Sequence, residues 1–203
     1  MKRKYCLIAA LIFFTACQKG IEPFEDGGSP QTGNDLIGTW NFTSLTGNTQ
    51  SIAEYTDSGI DYKTITISNY TTTNNTGTIT FSDSTFNMIN TSYSISSMLF
   101  GYNYQNNILI DSVQMPFTYA LDSTNSSGSY KLIGTDSIYF PQGSLISVAG
   151  SATQGQPTGG RISIVGNSLT ITESINEDST KDVGGVPYHT TDSGTFDLHF
   201  QKQ

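Results

Sequence analysis

Apolar residues recur at every second position in short blocks along most of this chain, and that spacing decides the fold class. The blocks are Trp40/Phe42, Ile65/Ile67, Ile79/Phe81, Phe86/Met88, Val113/Met115/Phe117/Tyr119/Leu121, Tyr130/Leu132, Ile138/Phe140, Ile162/Ile164, Leu169/Ile171 and Phe196/Leu198/Phe200. A strand turns successive side chains to opposite faces, so period two marks strands with one face in a core. The blocks predict eight to ten strands and no long helix. Ser82-Asp83-Ser84, Gly134-Thr135-Asp136 and Gly166-Asn167 supply tight turns between several of them. Loops that short join neighbouring antiparallel strands, which makes an up-and-down meander. Such a meander leaves hydrogen-bonding edges bare unless it closes on itself or stacks as two sheets. The expected fold is all-β, an antiparallel up-and-down β-barrel of about eight to ten strands, with a β-sandwich as the alternative.

Composition agrees. Serine and threonine make up about a quarter of the chain, and threonine is favoured in strands and disfavoured inside helices. Two stretches lack a clean period. Asn90 to Asn107 holds Tyr93, Ile95, Met98, Leu99, Phe100, Tyr102 and Tyr104 among polar residues. It reads as a lid or short helix at a barrel mouth, with Tyr93, Tyr102 and Tyr104 as candidate mouth contacts, or as an aromatic loop folded into the core. Gln142 to Gly160, rich in glycine, serine and glutamine, reads as a surface loop.

The N-terminus carries an address. Lys2, Arg3 and Lys4 precede an apolar run from Tyr5 to Phe14, followed by Thr15-Ala16-Cys17. Charge, short apolar run and small residues are the parts of a secretory signal, and ten helical residues would span only about 15 Å, half a bilayer core. Phe14-Thr15-Ala16-Cys17 resembles the lipobox of bacterial lipoproteins, with Phe14 in place of the usual aliphatic residue. The resemblance implies cleavage before Cys17, lipid on its thiol and a lipid anchor in the outer membrane, periplasmic or surface face undecided. Cys6 lies in the removed segment and Cys17 is consumed, so the folded domain has neither a disulfide nor a free thiol.

Removing residues 1–16 leaves 187 residues with a net charge of −11, since three of the nine cations go with the signal. A chain this acidic is unsuited to nucleic acid or to lying flat on anionic lipid. Residues 17–35 hold Gly20, Pro23, Gly27, Gly28, Ser29, Pro30 and Gly33 without apolar period, and read as a tether reaching roughly 20 to 25 Å. Glu22, Glu25 and Asp26 make it acidic near the lipid, as in the export signals of lipoprotein-rich bacteria or as in a plain solvated linker. Residues 36–203 form the domain.

Leu36-Ile37-Gly38-Thr39-Trp40-Asn41-Phe42 carries a second resemblance. A Gly-x-Trp entering the first strand, directly after a lipoprotein tether, is similar to the bacterial lipocalin-like domains. The resemblance implies that Gly38 permits a tight entry, that Trp40 plugs the closed end, and that a small apolar or amphipathic ligand is held inside. Lipocalins lay an arginine from the C-terminal region over this tryptophan; here the sole mature arginine is Arg161, well short of the end, with Lys202 the weaker candidate. The later Thr-Asp-Tyr motif has no counterpart, since Thr191-Asp192-Ser193 differs from it.

Catalytic motifs are lacking: no nucleophile elbow, phosphate loop or paired-cysteine metal site occurs. No cofactor, metal or enzymatic activity is expected. His199 falls on the outward parity of the last strand, and His189 with Asp192 three residues on is the remaining imidazole–carboxylate candidate. Asp57-Ser58-Gly59-Ile60-Asp61 and Glu177-Asp178 with Asp182 have oxygen ligands without the spacing of a calcium loop, and read as solvated turns. Asp-Ser followed by threonine or an aliphatic residue recurs at Ser84, Ser112, Ser123, Ser137 and Ser179, similar to the O-glycosylation acceptor of exported proteins in such bacteria and equally to turn chemistry. The functional expectation is a barrel that binds a ligand or, as the alternative, a side-chain-filled barrel that acts as a structural or interaction lipoprotein with an unknown protein partner. Intact mass of protein from its native host is expected to exceed that of residues 17–203 by lipid; a mass matching lipid plus bare chain removes the sugars.

Overall fold

The computed structural model describes residues 33–143, 145 and 157–203; Cys17, the lipobox, the acidic residues behind it and most of the expected 142–160 loop lie outside the described residues. One helical turn, α1 (Gly33–Leu36), leads into ten strands: β1 (Gly38–Asp57), β2 (Ile60–Thr71), β3 (Thr73–Phe81), β4 (Thr85–Gln105), β5 (Ile108–Ser129), β6 (Lys131–Ile133), β7 (Ser137–Phe140), β8 (Thr158–Val165), β9 (Ser168–Val183) and β10 (Val186–Lys202). Every pairing is antiparallel.

The strands form a meander that returns on itself, because β10 pairs with β1 from Trp40↔Lys202 to Glu54↔His189. β2 and β3 are one long strand broken at Thr72: β2 pairs with the far part of β1 and β3 with its start. The break is held by side chains. Leu45 N donates to Thr72 Oγ1 at 2.9 Å, and Thr72 Oγ1 donates to Asn75 Oδ1 at 2.6 Å. β5 and β6 are likewise continuous through Tyr130, with Ser129 against Thr85 of β4 and Lys131 against Tyr139 of β7. The pairings therefore run round a ring that closes through the chain at Tyr130.

That ring encloses the core. Inward residues include Trp40, Phe42 and Leu45 of β1, Ile79 and Phe81 of β3, Phe86, Met88, Tyr93 and Ile95 of β4, Leu169 and Ile171 of β9, and Phe196, Leu198 and Phe200 of β10, all buried. Aromatic rings meet edge to face, as between Phe86 and Phe140 (5.7 Å, 88°) and between Phe81 and Tyr130 (5.4 Å, 90°). That arrangement sets positive ring edge against negative ring face.

At the ring's end Trp40 is fully buried, and its Nε1 donates to Leu36 O at 2.9 Å. The chain enters through Gly38 at φ 131°, a region closed to residues with a Cβ. Lys202 Nζ lies 5.0 Å from the centroid of the Trp40 ring and donates to Asp35 O at 3.3 Å. Arg161 instead faces Asp136, 3.5 Å away.

The expected blocks fall on strands except at Tyr130, which links β5 to β6, and the turns at 82–84, 134–136 and 166–167 stand where expected. The reading of Asn90 to Asn107 as a lid or mouth helix is corrected: nearly all of it is β4. Its period is hidden by register shifts between Met88 and Tyr93, with Asn90 at φ 54°, so inward parity changes from even (Phe86, Met88) to odd (Thr91, Tyr93, Ile95). Tyr93 is accordingly a core residue, with ring centroids 6.3 Å from Phe42 and 6.2 Å from Tyr119.

Trp40→Ala is expected to cost about 3 to 5 kcal/mol, since it empties a fully buried site. Lys202→Ala should cost about 0.5 to 1 kcal/mol through the cation–ring contact. Urea unfolding of the two variants checks the ranking.

Candidate functional site

Six strands run on past the ring. The far parts of β9, β10, β1, β2, β4 and β5 pair in that order as a projecting sheet. Its tips are three two-residue hairpins, Ser58-Gly59, Asn106-Asn107 and Gly184-Gly185, with both residues of each at positive φ. Two positive φ values make the turn whose twist matches that of antiparallel strands.

The ring's inner face continues along this sheet but changes in chemistry. In β1 the inward series passes from Trp40, Phe42 and Leu45 to Gly47, Thr49, Ser51 and Ala53; in β2 it is Tyr62, Thr64, Thr66, Ser68 and Tyr70. The Tyr70 ring lies across Gly47, where an added Cβ would stand 2.4 Å from Cζ, so only glycine admits it. Ser68 Oγ, Tyr70 OH and Ser97 Oγ are buried here without a hydrogen-bond partner among the described residues. Burial pushes the Tyr70 hydroxyl up to about 12 and raises that of Tyr93 further. Nearer the tips, Tyr62, Tyr55 and Tyr188 stack across three strands, at 4.9 and 4.3 Å between centroids.

The outer face carries rows of opposed residues. One row reads Asn176, Ser193, Gln50, Ile67, Phe100, Gln114 from β9 to β5, and the next Asp178, Thr191, Ile52, Ile65, Tyr102, Ser112. Phe100, Tyr102 and Tyr104 form an aromatic column on β4, so Tyr102 and Tyr104 face away from Tyr93 and do not meet it at a mouth. A shallow trough of about 550 Å³ on this face is lined by Asn48, Gln50, Asn69 and Asn176 among others. A second concavity of about 430 Å³ near the tips holds the ion pair of Lys63 with Glu54 (2.9 Å) and His189.

His189 does not pair with Asp192, because residues three apart on a strand point to opposite faces. Its Nε2 instead meets Asp178 Oδ1 of the neighbouring strand at 2.8 Å. His199 lies on the outward parity as expected, half-buried, with Nδ1 3.2 Å from Thr170 Oγ1. The first acidic stretch is turn chemistry, with Thr56 donating to Asp61 Oδ1 at 2.7 Å. Of the second, only Asp182 serves a turn, accepting from Gly185 N at 2.8 Å, and the reading of Glu177-Asp178 as a turn is corrected, since both lie within β9, opposite Asp192 and Thr191. Among the described residues, no three histidine, cysteine or acidic side chains gather as metal ligands would. Ser84, Ser112, Ser123 and Ser179 are exposed, while Ser137 is half-buried and donates to Asp136 Oδ1 at 3.2 Å.

No family model, curated protein or solved structure matches this chain.

Sequence reasoning missed the projecting sheet as a unit. Its signals were Asn106-Asn107 and Gly184-Gly185, pairs suited to positive φ, together with the polar inner series of β1 and β2.

Tyr70→Phe is expected to raise stability near neutral pH by about 1 kcal/mol, because it removes a buried hydroxyl that has no hydrogen-bond partner among the described residues. The wild-type contribution from the protonated tyrosine is full below pH about 10, where unfolded tyrosine ionises, and is lost as pH rises toward 12. The variant's alkaline unfolding midpoint should therefore move upward, as read by circular dichroism.

Proposed function

We propose that this protein is a lipid-anchored envelope lipoprotein that acts without catalysis, by presenting its projecting sheet to a protein partner. The carrying observation is polarity along β1. The chain enters at Leu36 beside Trp40, and the hairpin tips stand at the other end of a 20-residue strand, about 65 Å away. A tether ending in lipid on Cys17 would join at the ring end and hold the tips away from the membrane. The large side chains packed inside the ring favour a structural scaffold over a carrier. Gly38, Trp40 and the Lys202 cation over the indole support a lipocalin-like ring end. The exposed serines at 84, 112, 123 and 179 suit O-glycosylation better than Ser137.

A second reading, binding of a small amphipathic molecule, is favoured by one observation: the partnerless hydroxyls of Ser68, Tyr70 and Ser97 lie above the aromatic core, where such a molecule would meet them.

Photo-crosslinkers at Ser58 and Asn107, at the tips, and at Asn167, at the ring end, separate these readings in the native host. Protein adducts from the tips are expected. Adducts from Asn167 alone, or a reproducible small bound mass in native mass spectrometry, would overturn the interaction reading.

A further inference from the structure

The projecting sheet has two edges, and they differ. On β9, residues 174–183 pair, among the described residues, with β10 only, and four of these ten are charged: Glu177, Asp178, Lys181 and Asp182. Charges on an edge keep other strands from adding to it. On β5, residues 108–127 pair, among the described residues, with β4 only, and the first ten contain a single charge, Asp111. They instead expose large apolar side chains: Ile108 is 68% exposed, Leu109 50%, Ile110 57%, Val113 38% and Met115 47%.

The ladder fixes which backbone groups are free. Pro116, opposite Met98, has no N–H to give β4, so its nitrogen belongs on the open side, as an edge strand allows in mid-strand. Alternation then turns the N–H and C=O of Ser112 and Gln114 to the same open side. Toward the tip, the register shift at Ile110 bends the strand. Between bulge and proline lies a window, 111–115, in which no described strand takes the open-side backbone groups of Ser112 and Gln114, with Asp111, Val113 and Met115 along the inner face.

We propose that this window is a strand-addition site for an extended segment of a partner protein, one whose alternate residues are apolar, apolar and basic. Backbone hydrogen bonds to Ser112 and Gln114 give the affinity, and the side chains give the choice. The basic residue stands opposite Asp111, where no lysine or arginine of β5 answers it, and the apolar residues lie beside Val113 and Met115. The chain's net charge of −8 draws in a basic segment and opposes a second copy. Self-pairing centred on Val113 would also set Asp111 against Met115, with no cation. The inference rests on the interaction reading and locates its surface.

The probe is a labelled twelve-residue peptide in which threonine alternates with valine, valine and lysine, with a glutamate-for-lysine counterpart, measured by fluorescence anisotropy. The lysine peptide is expected to bind at least about tenfold tighter than the glutamate one, more weakly as salt rises. Gln114→Pro removes an edge donor without touching the β4 ladder and should cost about tenfold or more. Asp111→Asn, which asks nothing of the fold, should cost the lysine peptide its advantage. Binding that survives Gln114→Pro overturns the edge site while leaving the tip crosslinks as the measure of the interaction reading. Equal binding of both peptides, binding of neither, or a concentration-dependent dimer abolished by Gln114→Pro would each overturn the basic partner.

Discussion

A sheet can be wrapped into a ring only where it has apolar side chains to put inside. That constraint sets the shape of this protein. Along β1 the inward series is Trp40, Phe42, Leu45 and then Gly47, Thr49, Ser51, and the ring ends where the series changes. Along β10 it runs from Phe200, Leu198 and Phe196 to Gly194 and Asp192, changing one inward position further on, since Phe196 stands opposite Gly47. The hydrogen-bonded ladders continue because backbone pairing does not need a core, but β5 and β9 are no longer drawn together. One set of long strands thus makes two structures: a ring held by burial, and a sheet held by ladders and cross-strand pairs.

The two edges left by that change are a consequence of topology, and their chemistry is a consequence of sequence. Any meander that fails to close has a first and a last strand, each with unpaired backbone groups. Glu177, Asp178, Lys181 and Asp182 make one of them unwelcoming, whereas Asp111 stands alone on the other among isoleucine, leucine, valine and methionine. A difference of that kind costs solubility in the free protein, and a partner that covers it removes the cost.

How much of this could be read from the sequence depended on parity. Blocks such as Phe196/Leu198/Phe200 declared both the strand and its buried face, because nothing interrupts their alternation. Asn90 to Asn107 concealed a strand because its bulge moves the inward residues from even to odd numbers, and because Phe100, Tyr102 and Tyr104 place apolar rings on the outer face. The Val113 to Leu121 block gave the right strand but overstated its burial: periodicity reports which residues share a face, not whether anything lies over that face. His189 with Asp192 looked like a pair only while the strand through them was ignored. Gly38 and Trp40 were legible as an entry and a buried indole, and Lys202 as the cation beside it could be found from its place at the chain's end.

The orientation of β1 has a mechanical meaning. A pull on the chain at Leu36, resisted by something grasping the hairpin tips, runs along the strand from Gly38 to Asp57. The bonds to β10 and to β2 and β3 lie across that line. With the grip on the Asn106-Asn107 or Gly184-Gly185 tip, on other strands, these bonds would be loaded together, in shear, and none could open before its neighbours had carried their share. The strand that organises the fold is also the one best placed to act as its cable.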